Sequence, residues 1–235
     1  MSEHIIVERE PGLLTLRMNR LDKKNALTRQ MYSQMAQELN AANDDRSVQA
    51  VLLTGNEACF TSGNDLMDFM NAPKEGLGGE VLQFMQALFD FSKPVVAAVS
   101  GAAVGIGTTM LLHCDFVYVS RDAMLKMPFV QLGLCPEYGS SLILPRLLGQ
   151  AKANDLLLLS ESFSGEQAAA WGFVNRVYDL ADLERETIYS VARDITRRKL
   201  AEEERDRLVV ELQAALGDLV HEGFQLLAVA AGRVV

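Results

Sequence analysis

The sequence predicts an α/β protein, and three observations carry that prediction. Strands alternate with helices through the first half of the chain, helices dominate beyond Pro128, and the composition is that of an ordinary globular protein, 49% apolar and 23% charged. A chain of 235 residues suits one large domain, or one domain with a helical appendix.

Taken in order, Ile5–Glu8 and Leu13–Met18 read as two strands around the turn pair Pro11-Gly12. Asn19–Asn25 is a polar, basic loop. Thr28 is placed as the N-cap of an amphipathic helix over Gln30–Ala42. Ala50–Thr54 is a short buried strand closed by Gly55, and Phe60–Asp65 is a loop with Gly63 and Asn64 at its tip. Val81–Phe91 has helical periodicity. Pro94–Val99 is a strand whose Val and Ala content suits burial on both faces. Ser100–Gly107 reads as a Gly/Ala-rich turn, Thr108–Cys114 as a short helix and Phe116–Ser120 as a strand. Helices follow over Glu137–Leu148, Ala151–Leu159 and Gly165–Trp171, then a strand over Phe173–Val177 and long helices over Leu183–Arg198 and Ala201–Leu219. No repeat of fixed period appears. The resulting division is a core over residues 1–195 and a helical region over 196–235.

A net charge of −9 argues against a general nucleic-acid binder, because a polyanion favours a basic face. Three cysteines give no disulfide framework and fit a reducing compartment. Residues Met1–Glu10 lack the basic and apolar pattern of a signal peptide, and Lys93–Val104 is too short to span a bilayer. The expectation is a cytoplasmic protein without a membrane partner.

Two loops of small residues draw attention, Cys59–Leu66 and Ser100–Thr108. Their glycines let backbone approach a ligand closely. The second opens a helix, where unpaired N–H groups suit an anion or a developing oxyanion. The alternative is a pair of tight turns packed in a core. No metal-ligand spacing appears among His4, His113 and His221, so no metal site is expected.

Read together, these loops resemble the signature region of the crotonase (enoyl-CoA hydratase/isomerase) superfamily. The resemblance rests on Lys93–Gly101, Cys114–Ser120, Met127–Ser140 and Leu144–Gly149, with Asn25-Ala26-Leu27 and Phe60–Leu66 upstream. It implies a spiral of ββα units with a helical C-terminal trimerisation region, and an acyl-CoA thioester as ligand. It implies no separate cofactor, since coenzyme A is part of the substrate, and a homotrimer or dimer of trimers. The thioester oxygen would be held by the backbone N–H groups of Ser62 and Ile106. The nucleotide would lie near Lys23, Lys24, Asn25 and Ala26, with Ser62, Asn64, Asp65, Leu66 and Phe129 along the substrate path. The other reading of the two lysines is a solvated loop.

Hydratases of this family carry two glutamates, at positions that here hold Thr109 and Phe129. One acid remains in the region, Glu137 of Cys135–Ser140, and this resembles the Δ3,Δ2-enoyl-CoA isomerase branch. One carboxylate is enough to move a proton from C2 to C4 and so turn a 3-enoyl-CoA into a 2-enoyl-CoA. The alternatives are a hydratase or other crotonase-family reaction, and a non-catalytic acyl-CoA-binding protein. Glu137 outside that resemblance would be a helix N-terminal acid satisfying the macrodipole.

Overall fold

The computed structural model describes residues 3–70 and 79–193, together with residues 204, 207 and 208. Most of the helical region 196–235, with the assembly role expected of it, lies outside the described residues. One compact unit covers Met1–Val191.

The chain opens with an antiparallel hairpin, β1 (Ile5–Glu10) and β2 (Gly12–Met18), whose register runs from Ile5 opposite Met18 to Glu10 opposite Leu13. Thr28 caps α1 (Arg29–Asp44) as expected, its hydroxyl accepting the Met31 N–H. The inner stripe of α1, including Met31, Tyr32, Met35 and Leu39, is buried. Then come β3 (Val48–Thr54), β4 (Cys59–Thr61), α2 (Leu66–Met70) and α3 (Gly79–Phe89). Next are β5 (Val95–Val99), β6 (Ala102–Val104), α4 (Ile106–Thr109) with a 3₁₀ turn over Met110–His113, β7 (Phe116–Ser120) and β8 (Met124–Lys126). A 3₁₀ turn over Val130–Leu132 precedes α5 (Ser140–Leu148) and α6 (Gln150–Leu157). The last elements with defined bounds are β9 (Phe163–Ser164), α7 (Gly165–Ala170) and β10 (Arg176–Tyr178); residues 180–193 are helical.

The strands form a six-stranded sheet ordered β1-β2-β3-β5-β7-β10 and a four-stranded sheet ordered β4-β6-β8-β9. From β3 onward, strands alternate between the two: β3, β5 and β7 join the large sheet, and β4, β6 and β8 the small one. Helical segments separate these pairs, which makes a spiral of ββα units. Parallel neighbours require such crossovers, because a hairpin cannot join them. The whole of β5 is buried, as its Val/Ala sequence predicts for a central parallel strand.

The α/β class and the spiral hold. Several local expectations do not. The small sheet is absent from the sequence reading because its strands are two or three residues long, too short to show a period of two. Ala102–Val104, read as part of a turn, is one of them. The strand expected over Phe173–Val177 lies at Arg176–Tyr178. Phe173 and Val174 are core residues instead, with Phe173 edge-on to Phe163 at 5.4 Å. The helix expected from Glu137 begins at Ser140, because Tyr138 and Gly139 are both left-handed, at φ 53° and 67°. Such a backbone disfavours tyrosine by roughly 1–2 kcal/mol. Among the described residues, no helix is long and apolar enough to cross a membrane.

At Gly101 the backbone is left-handed (φ 58°), and a Cβ there would lie 2.0 Å from the Ala58 carbonyl oxygen. This close approach lets β6 start beside β4. Gly101→Ala should therefore lower stability by about 2–5 kcal/mol, combining backbone strain with overpacking. Urea unfolding of the variant against wild type measures it; an unchanged midpoint would contradict the packing described.

Candidate active site

Strands β4 and β6 are parallel neighbours, pairing Cys59 with Ala102 and Thr61 with Ala103. The segments leaving their C-terminal ends, residues 62–65 and 105–106, therefore run side by side. Glycine permits this closeness. At Gly63 (φ 91°) a Cβ would meet the Val104 oxygen at 2.8 Å, and at Gly107 one would meet Thr61 Cγ2 at 2.5 Å.

The backbone N–H groups of these segments divide into used and unused. Ser62 N–H donates to the Lys24 carbonyl at 3.0 Å, Gly63 N–H to Thr61 Oγ1 at 3.1 Å and Asp65 N–H to the Leu27 carbonyl at 2.9 Å. Leu27 N–H returns to the Gly63 carbonyl at 2.8 Å. Leu27 and Asn64 thus form a parallel bridge, which turns Asn64's own N–H to the opposite side. Among the described residues, neither Asn64 N–H nor Ile106 N–H has a hydrogen-bond partner. The donor expected at Ser62 is corrected accordingly: that N–H is already engaged, and the free one lies two residues on.

The predicted binding residues also separate. Lys23, Ala26, Ser62, Asn64, Asp65, Leu66, Ile106, Phe129 and Glu137 line one cavity of about 570 Å³. Lys24 and Asn25 do not. Asn25 is fully buried; its amide donates to the Cys59 and Phe60 carbonyls at 2.8 and 3.1 Å, and its Oδ1 accepts Arg20 N–H at 2.7 Å. It splints the basic loop to β4. Lys24 is left-handed and contributes its carbonyl to Ser62. Arg20, overlooked in the sequence, also lines the cavity and is ion-paired to Asp65 at 2.7 Å. That hydrogen bond, with another from Asp68 N–H, holds the Asp65 carboxyl below the usual carboxylate range.

Glu137 sits three residues before α5, so it is not a first-turn acid. Around the cavity are Leu66, Met67, Phe69, Phe129, Leu132 and Leu134, all apolar. Glu137 Oε1 is buried with no hydrogen-bond partner among the described residues, and burial pushes the carboxyl pKa up to about 7. Beyond it lies Tyr32, fully buried, whose hydroxyl donates to Asn64 Oδ1 at 2.5 Å. Burial first, and then the charge of Glu137, raises the tyrosine pKa well above its ordinary value. The only sequence signal for Tyr32 was its place on the inner stripe of α1.

Residues 8–214 match the family model described as enoyl-CoA hydratase/isomerase. The chain belongs to that family. It is 37% identical over 191 residues to enoyl-CoA delta isomerase 2 of Homo sapiens, covering 78% of this chain and 48% of that protein. It therefore spans about half the length of that relative. It is 36% identical over 204 residues to 1,2-epoxyphenylacetyl-CoA isomerase of Escherichia coli, covering 84% of this chain and 76% of that one. The solved structure of Pseudomonas aeruginosa OdaA superposes with a TM-score of 0.79 at 59% identity, covering 83% of this chain and 79% of that one. In this enoyl-CoA hydratase/isomerase chain, Thr109 is fully buried and its hydroxyl turns back to the Gly105 carbonyl at 3.4 Å, while Phe129 lies in the cavity wall.

The raised carboxyl has a stability consequence. The folded protein holds the Glu137 proton more tightly than the unfolded chain does. Between the ordinary 4.5 and about 7 the folded state thus binds more protons, and stability falls as pH rises through that window. The full penalty, about 3 kcal/mol, applies above it. Urea unfolding of Glu137→Gln should show its stability relative to wild type higher at pH 9 than at pH 4.5 by about 2–3 kcal/mol.

Proposed function

We propose that this chain isomerises a 3-enoyl-CoA to a 2-enoyl-CoA, with Glu137 as the proton carrier and the Asn64 and Ile106 N–H groups as the oxyanion hole. The observation that carries the reading is the Glu137 carboxyl, its Oε1 buried without a partner among the described residues, in a largely apolar cavity that two unpartnered N–H groups also border.

The thioester oxygen accepts hydrogen bonds from Asn64 N–H and Ile106 N–H. Ionised Glu137 removes a proton from C2. The electrons of the broken C–H bond form C1=C2 as charge moves onto the oxygen, which the two donors stabilise. The enolate then collapses: C2=C3 forms, the C3=C4 electrons take up the proton at C4, and Glu137 supplies it. One carboxyl thus ends as it began, and no second base or positioned water is needed. A pKa near 7 suits both halves, since the group must accept and then release the same proton near neutral pH. Lys23 at the cavity edge is a point charge for the phosphates of coenzyme A, which enters as part of the substrate.

Hydration is the less favoured reaction. It needs a second acid to activate water, and Thr109 and Phe129 supply none. Asp65, the other carboxylate lining the cavity, is tied to Arg20. A purely binding role leaves unexplained why a carboxyl is kept buried without a partner.

Glu137→Gln should preserve acyl-CoA binding by calorimetry while isomerase turnover of a 3-enoyl-CoA falls roughly 10²–10⁴-fold. In the wild type, kcat/KM should rise with pH through about 7, as the base ionises. Full activity in Glu137→Gln would remove the glutamate from the mechanism. Fast hydration of a 2-enoyl-CoA by the wild type would support the hydratase reading instead.

A further inference from the structure

The segment that carries Glu137 is anchored through the next residue, Tyr138. Its left-handed backbone (φ 53°) is followed by left-handed Gly139 (φ 67°), so the chain here doubles back before α5. Three contacts fix it. The phenol ring stacks on the His113 imidazole, with centroids 3.7 Å apart and planes 21° from parallel. His113 Nε2 lies 2.8 Å from the Tyr138 carbonyl oxygen. The Tyr138 hydroxyl donates to the Met85 carbonyl of α3 at 2.7 Å. A carbonyl can only accept, so Nε2 carries the proton in this contact. Phe89, also on α3, packs edge-to-face with the imidazole at 6.0 Å.

The placement of His113 gives this anchor its meaning. It ends the 3₁₀ turn that continues directly from α4, and α4 begins with Ile106. The peptide that presents one oxyanion donor and the loop that presents the carboxylate are otherwise separate parts of the chain. The imidazole–phenol pair joins them across one stacked contact and one hydrogen bond.

We infer that His113 and Tyr138 are positioning residues that set the Glu137 carboxylate relative to the Ile106 N–H and keep its Oε1 buried. Neither needs to touch the substrate. The inference rests on Glu137 being the base. The titratable groups facing the pair are Asp90 and Cys114 beside Tyr138, and Tyr32 beside Glu137.

Two disruptive variants and one conservative one test it. Tyr138→Phe keeps the ring stack and removes only the hydroxyl bond to α3. His113→Ala removes the stack and the donor to the Tyr138 carbonyl. Isomerase kcat should fall roughly 10-fold in the first and toward 100-fold in the second, with KM moving much less, because misplacing a reacting group lowers turnover. Independently of activity, infrared difference spectra against Glu137→Gln report the titration of the Glu137 carboxyl. Its midpoint should drop from about 7 toward the ordinary 4.5 in both variants as water reaches it. His113→Gln, which keeps a side-chain donor, should recover part of both losses. Wild-type kcat and an unmoved carboxyl midpoint in folded Tyr138→Phe and His113→Ala would overturn the inference. If Glu137→Gln proves fully active, the base reading fails on its own, and the infrared midpoint still decides whether the pair governs that carboxyl's surroundings.

Discussion

The site depends on how closely the chain leaving β4 passes the chain leaving β6. Both strands are only three residues long, so the small sheet has few hydrogen bonds with which to hold them. Side-chain-free backbone at Gly63, Gly101 and Gly107 allows contacts that any Cβ would block at under 3 Å. The free N–H groups of Asn64 and Ile106 follow from this packing. The Leu27–Asn64 bridge uses the N–H groups on one side of the loop and leaves Asn64's on the other. Asn25 secures the bridge from behind, with three hydrogen bonds from one fully buried amide.

The large sheet was legible in the sequence because its strands are five or more residues long, except β10, and their apolar runs are bounded by turn residues. The strand at Phe116–Ser120 matches to the residue. What escaped was structure made by tertiary packing rather than by local pattern. A three-residue strand has no period, and the left-handed pair Tyr138-Gly139 interrupts a stretch that reads as helix from Glu137 onward. The same division runs through the site. Glu137, Ile106, Lys23 and Ala26 were named from motif position, and all four line the cavity. Ser62 was named for its N–H, and motif position alone does not reveal which of several neighbouring N–H groups is already bonded. Asn25 was placed beside the nucleotide, yet its polarity serves the interior. Arg20 and Tyr32 belong to no motif; only the fold brings Arg20 to the cavity and sets the Tyr32 hydroxyl behind it, on Asn64 Oδ1.

In the proposed mechanism, Glu137 sets a stable protein against a reactive one. A buried carboxylate without a partner disfavours the folded state at neutral pH, and the surrounding contacts must offset that. A hydrogen-bond donor beside Oε1 would relieve the strain. It would also lower the pKa and weaken the group as a base. The stacked imidazole and phenol restrain the neighbouring backbone and give Oε1 no hydrogen bond.

The apolar rim of the cavity has a consequence of its own. Leu66 and Met67 are 60% and 68% exposed, and Leu132 and Leu134 are 54% and 45% exposed. So much greasy surface around one opening is an adhesive patch when nothing covers it. A molecule that seats there shields it from water and from other proteins, and binding to the folded state alone adds to its stability by mass action. The protein's resistance to heat and to clumping is thereby coupled to ligand supply.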